Sequence, residues 1–96
     1  IFCCSDIMAI GAIDAIKEKM LSVPDDISIV GFDNVQQSGY ITPKLTTVSV
    51  DVNLMAELAV EHIRSSKEKP AAKGYMILIP SALEKRQSVH SVSGNK

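Results

Sequence analysis

The sequence predicts an α/β fold built on a parallel sheet. Three observations carry this. Residues 26–34, Asp-Ile-Ser-Ile-Val-Gly-Phe-Asp-Asn, hold a short apolar run rich in β-branched residues, which reads as a buried strand. An apolar stretch at helical spacing, residues 7–21, comes before it. Ile1-Phe2-Cys3-Cys4 reads as another strand ahead of that helix. Strand, helix, strand within about thirty residues makes a right-handed βαβ unit.

The first strand is residues 1–4. It opens in mid-pattern, so the sequence is expected to be a piece of a longer chain. Cys3 and Cys4 are adjacent, and neighbouring strand side chains point to opposite faces, so a disulfide between them is geometrically poor. They are expected to be small buried apolar groups in a reducing compartment. Either Ser5 or Asp6 suits the N-cap of the helix that follows. In that helix Ala9, Ile13, Ile16 and Met20 share one face, and Met8, Ala12 and Ala15 widen the apolar surface. A helix apolar on two sides buries both. Either it lies wholly inside one subunit, or its outer side meets a second copy of the chain.

The second strand, 27–32, follows the turn chemistry of Val23-Pro24-Asp25-Asp26 and ends in Gly31-Phe32-Asp33-Asn34. In open parallel sheets ligands bind at the carboxyl ends of strands. Asp33 is therefore the leading candidate ligand contact, with a turn-capping role as the alternative. Ser5 and Asp6 fall at the same carboxyl edge and are candidates beside it. Residues 34–45 are a polar connection with room for one helical turn. Residues 46–50 alternate like a strand, Asp51 suits a helix cap, and a second helix runs over about 52–66. Glu57 and Glu61 read as an exposed helix face. A polar loop, 65–74, precedes a strand at 75–79. Pro80 interrupts it, and 82–86 extend it as an edge. The Ser-rich tail from Ser88 is expected to fray.

Composition narrows the function. Ninety-six residues make at most one small domain, with 46% hydrophobic residues, 22% charged and a net charge of −1. That balance carries no electrostatic footprint for nucleic acid. No apolar run approaches the roughly 18–20 residues that span a bilayer, so no membrane contact is expected. There is no Gly-rich phosphate loop, no nucleophile–base set and no ligand spacing for a metal. His62 and His90 are isolated. No cofactor, no metal and no enzymatic activity are expected.

Four ordered stretches resemble the LacI/GalR transcriptional regulators. They are Ser5-Asp6-Ile7-Met8-Ala9-Ile10-Gly11-Ala12, Val23 to Asn34, Pro43-Lys44-Leu45-Thr46-Thr47-Val48 and Arg86-Gln87-Ser88. The resemblance implies an incomplete periplasmic-binding-protein-like fold with parts of two lobes. Residues 1–47 would belong to the C-terminal lobe, 48–73 to the N-terminal lobe, and 74–96 to the return and tail. It implies a small-molecule effector, a sugar or related metabolite, bound in a cleft and contacted by Asp33 and by Ser5. Ser5 stands where the family often has Asn, and Val50 where sugar binders often have a polar residue. Both departures weaken the case for a simple sugar. The resemblance also implies a cytoplasmic homodimer, with Ile7, Met8, Ile10, Gly11, Asp14 and Tyr40 at the subunit contact. DNA would be bound only through an N-terminal helix-turn-helix domain outside this sequence. A periplasmic solute-binding protein of an uptake system is the alternative, and an enzymatic or flavodoxin-like α/β domain a third reading.

Overall fold

A computed structural model describes residues 1–68, 74 and 76–92. The chain divides into two compact units, Ile1–Ser49 with Ala82–Lys96, and Val50–Ser81. The expected lobe crossings at 47/48 and 73/74 differ from these divisions by two and by eight residues.

The first unit is the βαβ unit with additions. Phe2 makes a parallel bridge to Val30. The Cys3 N–H donates to the Val30 carbonyl at 2.8 Å, and the Val30 N–H to the Ile1 carbonyl at 2.9 Å. Helix α1 spans Asp6–Glu18 and strand β1 Val30–Asp33. A 3₁₀ turn, Gln36–Gly39, falls in the polar connection where one helical turn was expected. Strand β2, Thr46–Ser49, pairs parallel with β1. Strand β3, Ala82–Glu84, pairs antiparallel with β2. The sheet is therefore mixed: the expected parallel pairing of β1 and β2 carries an antiparallel strand at its edge.

Ser5 caps α1. It has extended backbone, and its hydroxyl accepts the Met8 N–H at 3.3 Å. The helix ends three residues before the expected limit at 21. Met20 takes φ 62°, the left-handed conformation that stops a helix. Its N–H reaches the Lys17 carbonyl at 3.0 Å and that of Leu21 the Ile16 carbonyl at 3.2 Å. Met20, expected on the buried face, is consequently 92% exposed.

Ala9, Ile13 and Ile16 point inward and join Val23, Ile29 and Leu45 in the core. Burying each large aliphatic side chain contributes about 1.5–3 kcal/mol. Cys3 packs against this core, but Cys4 is exposed, contrary to the expectation that both are buried. Ser88, expected in a frayed tail, is fully buried. Its hydroxyl donates to the Ile29 carbonyl at 2.6 Å and accepts the Thr46 N–H at 2.8 Å. It thereby ties together the segments entering β1 and β2. His90 is also held, its N–H donating to Ser28 Oγ at 3.2 Å; residues 93–96 of the expected frayed tail lie outside the described residues.

In the second unit, α2 spans Val52–Glu68 and is capped by Asp51, whose carboxylate accepts the Leu54 N–H at 3.0 Å. Glu57 and Glu61 are exposed, as expected, and Glu61 pairs with Arg64. Met55, Leu58, Ala59 and His62 line an apolar concavity of about 240 Å³ with Ile77 and Ile79. The strand expected at 75–79 is not formed over 76–79, and Tyr75 lies outside the described residues. A strand exists only with a hydrogen-bonded neighbour, and among the described residues that segment has none. Among the described residues no helix is long and apolar enough to cross a membrane.

Candidate functional site

The register of the parallel strands builds the site. Phe2 and Thr46 both pair with Val30. Ser5, Asp33 and Ser49 each lie three residues further along their own segments, so all three reach the same carboxyl edge of the first unit. This is the edge at which α/β sheets bind ligands.

Asp33 is exposed and carries φ 122°, and Asn34 follows with φ 60°. Left-handed backbone at a non-glycine residue costs about 1–3 kcal/mol and is retained where surrounding contacts impose it. Among the described residues nothing bonds the Asp33 carboxylate, whose oxygens can act only as acceptors when it is ionised. Ser5 is half-buried. Its oxygen is occupied by the Met8 N–H, which leaves its O–H proton to donate.

Asp6, expected to contact ligand beside Ser5, turns the other way. Ser5 is still extended and Asp6 is the first helical residue, so the two side chains diverge, and Asp6 enters the core. It is fully buried. Its Oδ1 accepts the Thr47 hydroxyl at 2.5 Å and its Oδ2 the Val35 N–H at 2.8 Å. This carboxylate joins α1 to β2 and to the segment after Asp33. Gly31 makes room for it: a Cβ there would fall within contact distance of Asp6 Oδ1 and 3.0 Å from Leu45 Cδ2.

Sequence reasoning singled out neither Thr47 nor Arg86 for the site. Thr47 is fully buried, and its Oγ1 also accepts the Asn34 N–H at 3.4 Å. Arg86 donates to Asn34 Oδ1 at 2.7 Å, Ser38 Oγ at 2.8 Å and the Leu45 carbonyl at 2.9 Å. Both residues lie in stretches that carry the family resemblance, which was the one signal available.

On α1 the candidate subunit contacts fall on the side away from the core. Ile7 and Met8 are 64% and 61% exposed, Gly11 and Asp14 are exposed, and Ile10 is half-buried. Tyr40, after the 3₁₀ turn, is 77% exposed.

A separate cluster sits at the amino ends of the strands. Ile1, Pro24, Asp25, Asp26, Ser28, His90 and Val92 line a concavity there. The two His90 ring nitrogens lie 2.6 Å from the Ser91 carbonyl and 3.1 Å from the Asp25 carbonyl. A neutral imidazole donates to only one of them, so the carbonyls of Asp25 and Ser91 hold the ring above its ordinary pKa of 6.5. Among the described residues no group of three or more His, Cys, Asp or Glu side chains is arranged to hold a metal ion.

Comparison with known proteins bears on the fold and the family. Residues 1–89 match the model of the periplasmic binding protein-like domain. The probable HTH-type transcriptional repressor ExuR of Bacillus subtilis (strain 168) is 42% identical over 93 residues, covering 97% of this chain and 28% of that protein. The crystal structure of the lac repressor dimer bound to operator and the anti-inducer ONPF superposes with a TM-score of 0.85. It has 36% identity and covers 94% of this chain and 31% of that one. A LacI family regulator from Enterococcus faecium with bound ribose gives a TM-score of 0.85 at 28% identity, covering 96% and 34%. The chain thus spans under a third of the length of the repressor it matches.

Proposed function

The chain belongs to the periplasmic-binding-protein-like family, among the LacI-type transcriptional regulators, and from that premise we propose that it supplies the effector-contacting edge and the dimer face of a cytoplasmic repressor. The observation that carries this is the shared edge of Ser5 and Asp33, which lie three residues beyond Phe2 and Val30, the two residues of one parallel bridge. Asp33 accepts hydrogen bonds from hydroxyl or amine groups of a small metabolite, a sugar or a related polar compound. Ser5 donates one. The strained backbone at Asp33 is consistent with a side chain pre-aimed at a ligand. Asp6 orients this edge from beneath and does not touch the effector.

Regulation is linkage. A metabolite with different affinity for two arrangements of the protein shifts the balance between them, and DNA affinity follows. Operator contact belongs to a helix-turn-helix domain outside this sequence. The unit Ile1–Ser49 with Ala82–Lys96 belongs to one lobe and Val50–Ser81 to the other. Ile7, Met8, Ile10, Gly11, Asp14 and Tyr40 pack against a second copy, which explains large apolar side chains left facing water on α1. The work of such a protein is binding, with no chemical step to catalyse. The repressor identity of its relatives favours this reading over an uptake protein.

The test uses the full-length protein and labelled operator DNA. Fluorescence anisotropy is recorded against pentoses, hexoses, sugar acids and nucleobases. Asp33→Ala is expected to raise the half-effective concentration of the active compound about 10- to 100-fold, the cost of one hydrogen bond to a charged group. Dimerisation and operator affinity without metabolite stay as in the parent. An unchanged response removes Asp33 from the site.

A further inference from the structure

The Asp33 carboxylate bonds nothing among the described residues, so the backbone, which sets where its Cα–Cβ bond points, is the part of its aim that the protein holds. That backbone stands at φ 122°, followed by Asn34 at 60°. Something has to hold two consecutive residues there. We propose that Arg86 is the positioning residue that does so, a proposal that rests on the reading of Asp33 as the effector contact.

The argument begins with where the guanidinium reaches. Its three acceptors are Asn34 Oδ1, Ser38 Oγ and the Leu45 carbonyl. They belong to the end of β1, the 3₁₀ turn and the residue before β2. All three are neutral, and no carboxylate is among them. An ion pair is therefore not what the charge serves. A planar fork with donors fixed at set angles is the useful property, because it imposes a geometry on three segments at once. The Arg86 backbone is itself anchored, its N–H donating to Thr46 Oγ1 at 2.9 Å.

The grip on Asn34 is two-sided. Its side-chain oxygen accepts from Arg86 at 2.7 Å; the Ser38 hydroxyl lies 3.3 Å away but gives its one proton to the Val35 carbonyl at 2.6 Å. Its backbone N–H, the peptide that directly follows Asp33, donates to Thr47 Oγ1 at 3.4 Å. That second bond is long, so the charge-assisted one carries more of the restraint. Loosen it and Asn34 is free to leave the left-handed region, and Asp33 swings with it. The last stretch of the chain thereby fixes the aim of a residue 53 positions earlier in the sequence.

The test is amide hydrogen exchange on the full-length protein. In Arg86→Gln and in Asn34→Ala the Asn34 and Val35 amides are expected to exchange about tenfold faster or more, while the amides of Ile13 and Ile16 change by less than about twofold. Arg86→Lys, which offers one nitrogen in place of a fork, loosens the same two amides. Asn34→Asp keeps an acceptor for Arg86 and stays within about twofold of the parent. If Arg86→Gln does not fold, the contrast between Asn34→Asp and Asn34→Ala decides the matter. A uniform rise across unit and helix, no rise at all, or equal behaviour of the two Asn34 variants overturns the positioning role. Asp33→Asn separates the two ideas. If the active compound releases operator DNA from it as from the parent, the effector-contact reading falls, and the exchange results still report whether Arg86 holds the turn.

Discussion

Asp6 offers the sharpest stability test, because a fully buried carboxylate with two donors leaves little room for compensation. Asp6→Ala removes the acceptors of the Thr47 hydroxyl and the Val35 N–H. Each hydrogen bond to a charged acceptor is worth about 1.5–3 kcal/mol, and a buried donor left unpaired carries its desolvation cost in full. The Thr47 oxygen still accepts the Asn34 N–H, but its proton is left without the Asp6 acceptor. The net expectation is a destabilisation of about 3–5 kcal/mol. Asp6→Asn keeps the shape. Its carbonyl oxygen still serves Val35, but its amide faces Thr47 Oγ1, which must reverse its role while already accepting from Asn34. That costs about 1–2 kcal/mol. Urea unfolding of the full-length protein followed by circular dichroism reads both from the midpoint shift at constant slope. Asp6→Ala within about 0.5 kcal/mol of the parent, or costing less than Asp6→Asn, refutes the reasoning.

Three further outcomes follow from the same geometry. Gly31→Ala forces a methyl against Asp6 Oδ1 and Leu45 Cδ2 and is expected to cost about 1–3 kcal/mol in the same assay; a neutral effect contradicts the packing. Ile7→Glu and Met8→Glu place charge on the outer face of α1 and are expected to weaken dimerisation about tenfold or more each in sedimentation equilibrium, with an unchanged circular dichroism spectrum; a dimer of parental strength rules this face out. The raised pKa of His90 favours its charged form in the folded state. That contribution is complete below pH 6.5 and is lost as pH rises through the folded value. Stability from this source therefore declines upward from pH 6.5, and His90→Gln is expected to remove that decline in urea midpoints taken from pH 5.5 to 8.5, a range of about one unit below to two above the ordinary value; an identical slope in both proteins contradicts it.

What the sequence reveals is largely local. The run around Ile29 and Val30, the cap at Ser5, the cap at Asp51 and the single turn near Gln36 all follow from residues within a few positions of one another. The edge shared by Ser5 and Asp33 follows from one βαβ unit. Partners far along the chain are harder to read. Nothing near Arg86 announces that it grips Asn34, 52 residues away, and nothing near Ser88 announces its bond to Ile29, 59 residues away. A Ser-rich stretch looks like a fraying tail until its hydroxyl is seen between two strands. Asp6 misleads for another reason. The backbone changes from extended at Ser5 to helical at Asp6, and only the packed core decides which of the two faces the edge. Met20 ends α1 although methionine has no special liking for the left-handed region. The segment at 76–79 has a strand's composition without a partner among the described residues.

The most direct measurement is a crystal structure of the full-length protein grown with the compound that alters its operator affinity. The expected result is an Asp33 carboxylate oxygen about 2.5–3.2 Å from a hydroxyl or amine of that compound, with the Ser5 hydroxyl at the same edge. Density for the compound elsewhere, with Asp33 still facing only water, contradicts the account.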